Sequence, residues 1–160
     1  MSEAQARATL VGNLRFAAAE AQRHGIRLLL EPINHFDMPG FFVNRPRQAI
    51  ALMDAVGSDN LFLQYDIYHA QRMEGELANT LQDLLPRIAH MQLADTPGRH
   101  EPGTGEIHYR YLFDRIDELG YTGHIGCEYK PLDTGPGGTD RGLAWITAHG
   151  QTLALQGEPA

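Results

Sequence analysis

The sequence predicts an α/β fold in which a leading helix precedes four strand–helix units built on a parallel sheet. Three observations predict it. Four short apolar runs, LLLE, LFLQYD, HMQ and HIGCE, each end in a polar group: Glu31, Asp66, Gln92 and Glu128. Those groups are separated by 35, 26 and 36 residues, about a strand, a loop and a helix each time. Between the runs lie helical stretches punctuated by glycine and proline. Alternation at this spacing calls for a parallel sheet covered by helices. Right-handed crossovers then bring the C-terminal end of every strand to one rim.

Taken in order, residues 3–24 read as a helix. Leu10, Leu14, Ala17, Ala18 and Ala21 form its apolar stripe, and Gly25 stops it. IRLLL at 26–30 is the first strand, ended by Pro32, and residues 34–45 form a loop. Pro46 suits the start of a helix to Val56, with Asn44 as a candidate cap and Gly57 as the stop. LFLQYD is the second strand. A loop through His69 then leads to a helix near 75–85. IAHMQLAD is the third strand. The segment 95–107 is rich in glycine and proline and reads as a shaped loop. Residues 108–119 form a helix stopped by Gly120, HIGCEY is the fourth strand, and 139–149 the last helix. The tail at 156–160 is expected to fray.

Length and composition narrow the function. The chain has 160 residues, enough for one domain, taken as 1–155. A formal charge of −7 with no Lys/Arg run argues against broad nucleic-acid binding, which needs phosphate neutralisation. No run approaches the roughly 20 apolar residues of a membrane span. The start, MSEAQARATL, lacks a signal-peptide core. The single cysteine, Cys127, can form neither an internal disulfide nor a thiolate cluster, and reads as a small buried strand residue. Together these features predict a cytoplasmic location.

The closed form of this pattern, the TIM barrel, has eight units and takes about 250 residues. Here four are visible. An open four-stranded sheet and the C-terminal half of a barrel both satisfy the pattern. The leading helix favours the half-barrel, because it looks like one that followed an earlier strand. A half-barrel alone would expose two strand edges and its inner surface. A homodimer or higher homo-oligomer is therefore expected.

Side chains alternate along a strand. With Asp66 inward, Gln64 and Phe62 join it, while Tyr65, Leu63 and Leu61 face the helices. With Gln92 inward, so is His90, and Met91 packs outward. With Glu31 inward, Leu30 and Leu28 face the helices. With Glu128 inward, Cys127 and Ile125 pack outward. A lone glutamate is most often a solvated surface group, but four polar groups ending four strands point to a shared site. Three carboxylates and an amide suit a hard or borderline ion such as Mg²⁺ or Mn²⁺.

Other residues divide between site and scaffold. His35 and His69 sit in rim loops, where a histidine is commonly structural but could contact a hydroxyl or carboxylate. His90 could orient Gln92. His24 and His149 lie near helix ends and have no expected catalytic role, and Tyr65 and Tyr129 should pack away from the rim. Arg99, in ADTPGRHEPGTGE, could pair with an anionic substrate. Glu106 could brace that loop, and Lys130 could help hold a substrate carboxylate. PGTGE is no nucleotide fingerprint, since it has neither GxGxxG nor GK[ST].

EPIN at 31–34, YDIYHAQ at 65–71, HMQLADTPGRHEPGTGEI at 90–107 and GCEYKP at 126–131 closely resemble the hydroxypyruvate isomerase family of the xylose-isomerase-like barrels. The resemblance covers about residues 10–150 and matches the C-terminal four units of the barrel; the first four units are missing. It implies that Glu31 and Glu128 bind metal and exchange protons with substrate. It implies Asp66 and Gln92 as further metal ligands, and His69 and Arg99 as substrate contacts. Related epimerases commonly carry histidine where Gln92 stands, so Gln92 favours the hydroxypyruvate branch. The implied reaction interconverts hydroxypyruvate and 2-hydroxy-3-oxopropanoate. Alternatives are a ketose 3-epimerase or other sugar isomerase and an inactive half-barrel serving as a structural or assembly module. A base-excision nuclease is weaker, because it should bring more histidine ligands and a positive face.

Overall fold

Four parallel strands in the order β1-β2-β3-β4 carry the molecule, as alternating strand–helix units require. The computed structural model describes residues 2–150, so the expected fraying at 156–160 and residues 151–155 of the expected domain lie outside it. Helix α1 (Glu3–Arg23) precedes β1 (Leu28–Leu30), α2 (Pro46–Val56) and β2 (Leu61–Asp66). Then come α3 (Ile67–Met73), α4 (Leu77–Leu84), β3 (Ile88–Leu93), α5 (Tyr109–Glu118), β4 (Ile125–Cys127), α6 (Gly138–Gly142) and α7 (Trp145–Ala148). This is the predicted arrangement of an incomplete (β/α)8 barrel preceded by a helix. Among the described residues no helix is long and apolar enough to cross a membrane.

The alternation along the strands separates core from site. Leu61, Leu63 and Tyr65 of β2 and Met91 and Leu93 of β3 are buried against the helices, while Phe62, Gln64, His90 and Gln92 are only partly buried. Leu52, Met53 and Val56 of α2 and Leu112, Phe113 and Ile116 of α5 complete this outer core. A register shift beside Leu63 and Gln64 pairs Leu63 with Ile88 and Gln64 with His90. The shift turns Ile88 and Met91, three residues apart, to the same buried face.

Local chemistry fixes the helices. Ser2 and Gln5 form a reciprocal capping box at the start of α1. The Arg15 guanidinium reaches the Val56 carbonyl at 3.1 Å and also bonds that of Ala55, covering the negative end of α2. Gly57 ends α2 with φ 68°, a conformation that costs glycine little.

Four expectations are corrected. Asn44 does not cap α2: Arg45 occupies the cap position without a side-chain bond, and the Asn44 amide donates to the Phe41 carbonyl at 3.2 Å. His69 lies in helix α3 and not in a loop, because Asp66 ends β2 and caps α3 with no turn between them. The last helix is broken into α6 and α7. The interruption falls at Leu143 and Ala144, where Leu143 (φ −99°, ψ −6°) opens the helical turn and its N–H is shared between the Thr139 and Asp140 carbonyls. Cys127 is exposed, because it ends β4 on a groove that Leu143, Trp145 and Ile146 line without filling.

Candidate metal centre

The strand register aligns the rim. Asp66 pairs with Gln92, and Gln92 with Gly126. The Glu128 N–H donates to the Leu93 carbonyl at 3.0 Å, extending the ladder to the glutamate just beyond β4. Glu31 directly follows β1. Glu31, Asp66, His69 and Glu128 each offer one ligand atom, and these atoms lie within 4.8 Å of one another. Three of the four predicted ligands thus converge. The fourth, Gln92, stands beside Asp66 in the register and accepts a 2.5 Å hydrogen bond from the Gln64 amide. Gln64, not His90, orients it.

Asp66 is buried by its double role in strand and cap. One oxygen, Oδ1, accepts from the N–H groups of Tyr68 at 2.8 Å and His69 at 3.4 Å. The other, Oδ2, is buried with no hydrogen-bond partner among the described residues. Burial and then the adjacent Glu128 and Glu31 carboxylates push Asp66 up to about 8, with the His69 N–H opposing. Burial and Glu128 also raise Glu31, against the lowering effects of Gln64 and Arg99. Crowded carboxylates and an orphaned buried oxygen are what a divalent cation would relieve. The donor set therefore fits one.

Arg99 closes the opposite side. Its Nη2 lies 2.9 Å from Glu128 Oε2 and 3.9 Å from Asp66 Oδ2, and its guanidinium stacks 4.9 Å from the Tyr68 ring centre. Arg99 takes φ 55°, in the left-handed region. The surrounding loop holds it there: the Asp95 carboxylate accepts N–H bonds from Thr96, Gly103, Gly105 and Ile107 at 2.9–3.1 Å. Glu106 braces the same loop, as expected, by accepting from Thr96 Oγ1 at 3.0 Å. Burial and the Arg99 charge lower His69 to about 4, so its ring is neutral at pH 7.

The structure does not bring every candidate to the cluster. Lys130 is exposed and is tied in by its main chain: its N–H donates to the Arg99 carbonyl, and its carbonyl meets His100 Nδ1 at 2.7 Å. His35 is exposed and packs on Phe36. Tyr65 and Tyr129 point away, Tyr129 bonding the Gly142 carbonyl at 2.7 Å. Sequence reasoning missed a layer behind His69. Asn34 and Asp37 bind one another, Asp37 accepts from the Tyr68 hydroxyl at 2.8 Å, and Arg72 reaches both Asp37 and that hydroxyl. Burial opposes ionisation of Asp37, but bonds from Asn34 and Tyr68 and the charges of Arg72 and Arg99 hold it below the usual carboxylate range. The signals for this layer were the EPIN and YDIYHAQ segments, which carry Asn34 and Tyr68 but do not say that the two meet through Asp37.

Parallel strand–helix units with strand-end carboxylates gathered at one rim define a class: a partial (β/α)8 barrel carrying a cluster that could hold a divalent cation. The model of the family described as xylose isomerase-like TIM barrel matches residues 1–149. The chain belongs to this family. It is 55% identical over 145 residues to the hydroxypyruvate isomerase of Escherichia coli (strain K12), covering 91% of this chain and 55% of that protein. It is 48% identical over 143 residues to the 2-oxo-tetronate isomerase of Cupriavidus necator, covering 89% and 54%. A solved structure described as AP endonuclease, family 2, from Brucella melitensis superposes with a TM-score of 0.87 at 38% identity, covering 92% of this chain and 56% of that one. The chain thus spans about half the length of the curated relatives it matches.

Proposed function

We propose that this chain carries the proton-transfer site of a metal-assisted isomerase that interconverts hydroxypyruvate and 2-hydroxy-3-oxopropanoate. The observation that carries the reading is the convergence of Glu31, Asp66 and Glu128 at one rim, with an orphaned oxygen on Asp66. The Escherichia coli relative supports the substrate.

In this reading Glu31, Asp66, Gln92 and Glu128 hold Mg²⁺ or Mn²⁺, oxygen ligands suited to either ion. The ion supplies neutralisation of the negative charge that develops on the substrate oxygens. Glu31 and Glu128 are the two carboxylates placed for proton transfer. One removes a proton from C3 of hydroxypyruvate, leaving enediolate charge, and a proton is delivered to C2. The hydroxyl proton passes from O3 to O2, so C3 becomes the aldehyde and C2 the alcohol. Arg99 pairs with the substrate carboxylate once its bond to Glu128 is given up, and His69 contacts a substrate oxygen. Lys130 supports the loop of Arg99 through its main chain.

Conversion of hydroxypyruvate in the presence of Mg²⁺ or Mn²⁺ is the test. Glu128→Gln should lower the rate by roughly 10²–10⁴-fold, the usual contribution of a general acid or base. Equal turnover by the variant would remove Glu128 from the mechanism. The Cupriavidus relative supports a second substrate, 2-oxo-tetronate, handled by the same groups. Parallel kcat/KM measurements on the two compounds separate these readings.

A further inference from the structure

We infer that Asn34 is a positioning residue that locks His69 as the Nε2–H tautomer, which makes His69 a hydrogen-bond donor in the site and excludes it as a metal ligand. The geometry that gathers Glu31, Asp66, His69 and Glu128 leaves the role of the imidazole open, since a ring nitrogen can either bind a cation or donate a proton. The hydrogen bonds behind the ring settle it.

The chain of constraint starts at a main-chain group that can only donate. The Asp37 N–H lies 2.8 Å from Asn34 Oδ1, which fixes the orientation of the Asn34 amide. The amide NH₂ then faces two partners. One hydrogen goes to Asp37 Oδ2 at 3.0 Å, and the other points at His69 Nδ1 at 2.6 Å. The Asn34 main-chain N–H adds a second donor to the same nitrogen at 3.4 Å. Asn34 is fully buried, so water does not compete for these bonds. A nitrogen that meets two donors must be the unprotonated one, and in the neutral ring the proton then sits on Nε2.

Nε2 faces the site. It lies 3.5 Å from Asp66 Oδ2 and 3.5 Å from Arg99 Nη2. The Arg99 contact would favour a lone pair on Nε2, but it sits at the outer limit of a hydrogen bond, and the same Nη2 is engaged with Glu128 at 2.9 Å. The shorter contacts at Nδ1 decide the tautomer. Asp37, itself held by Tyr68 and Arg72, keeps the Asn34 amide in place. The use of the Nε2–H on a substrate oxygen rests on the isomerase reading; the tautomer does not.

The test is nitrogen-15 NMR of the histidine rings in the chain without metal or substrate. The His69 resonances are identified by their loss in His69→Gln. Wild type should show an unprotonated, pyridine-like Nδ1 and a protonated Nε2, and saturating Mg²⁺ should leave the Nε2 proton in place. In Asn34→Asp the facing oxygen accepts, so Nδ1 should shift to the protonated, pyrrole-like range. A protonated Nδ1 in wild type overturns the assignment, and so does loss of the Nε2 proton on adding Mg²⁺. An unchanged Nδ1 in a folded Asn34→Asp overturns the role of Asn34. If Asn34→Asp does not fold, the wild-type spectra with and without Mg²⁺ decide the assignment by themselves. None of these readouts depends on turnover, so the isomerase reading can fail while this inference stands.

Discussion

Asp66 shows how one residue can serve fold and site at once, and at a cost. Its Oδ1 caps α3, while its Oδ2 is buried beside two other carboxylates. The cost has a sign that pH reveals. An ordinary aspartate in the unfolded chain titrates near 3.8, whereas in the fold Asp66 is pushed up to about 8. Between those values the folded metal-free chain keeps a proton that the unfolded chain has released. The associated stability is therefore complete below about pH 4 and is lost as pH rises toward 8. His69, lowered to about 4, acts oppositely, but only between about 4 and its ordinary 6.5. Urea midpoints in chelator should accordingly fall between pH 6.5 and 8. Asp66→Asn, which keeps a capping side chain without the charge, should flatten that decline. A wild-type midpoint that holds steady across this window would mean that Asp66 is already ionised in the fold.

At the scale of the element, the loop between β3 and α5 owes its shape to one buried carboxylate. Four N–H groups converge on Asp95, and at Gly105 an added Cβ would lie 1.8 Å from the Thr96 carbonyl oxygen. The loop in turn sets Arg99 in its left-handed turn over the site. Asp95→Ala should cost about 3 kcal/mol in urea unfolding, since an unsatisfied buried donor costs ~1–3 kcal/mol and several would be stranded. A loss below about 0.5 kcal/mol would show that the loop holds itself. This dependence was hidden in the sequence, where ADTPGRHEPGTGE announces a turn-rich loop but not which carboxylate gathers it. The strands were far more legible. Alternation along LFLQYD placed Leu63 and Tyr65 in the core and Gln64 toward the site, because a period of two leaves each residue one choice of face. Helix α3 was not legible, because Asp66 ends a strand and caps a helix without an intervening glycine or proline. The convergence of Glu31, Asp66 and Glu128 could be read from their spacing, but the contacts of Asn34 with His69 span 35 residues and no local pattern encodes them.

At the scale of the whole molecule, the candidate centre ties together strands that the sheet leaves apart. β1 and β4 are the two edges of the sheet, so Glu31 and Glu128 come from elements that share no ladder. Their carboxylates nevertheless reach the same few ångströms as Asp66. Without a cation this arrangement sets like charges against each other across the sheet. A cation held by all three would draw the edges toward the centre and would bind the folded chain alone, because the unfolded chain scatters the ligands. Linkage then fixes the size of the effect. At one hundred times its Kd the ion adds ~2.7 kcal/mol. For a chain of this size, each kcal/mol raises the thermal midpoint by about 2–4 °C. Mn²⁺ or Mg²⁺ should thus raise Tm by roughly 5–10 °C, and chelator should reverse the rise. Glu31→Gln and Glu128→Gln should each lose most of it, although the two residues lie at opposite edges. If either variant kept the full metal-induced shift, the ion would be bound without that edge and the cross-sheet strap would not exist.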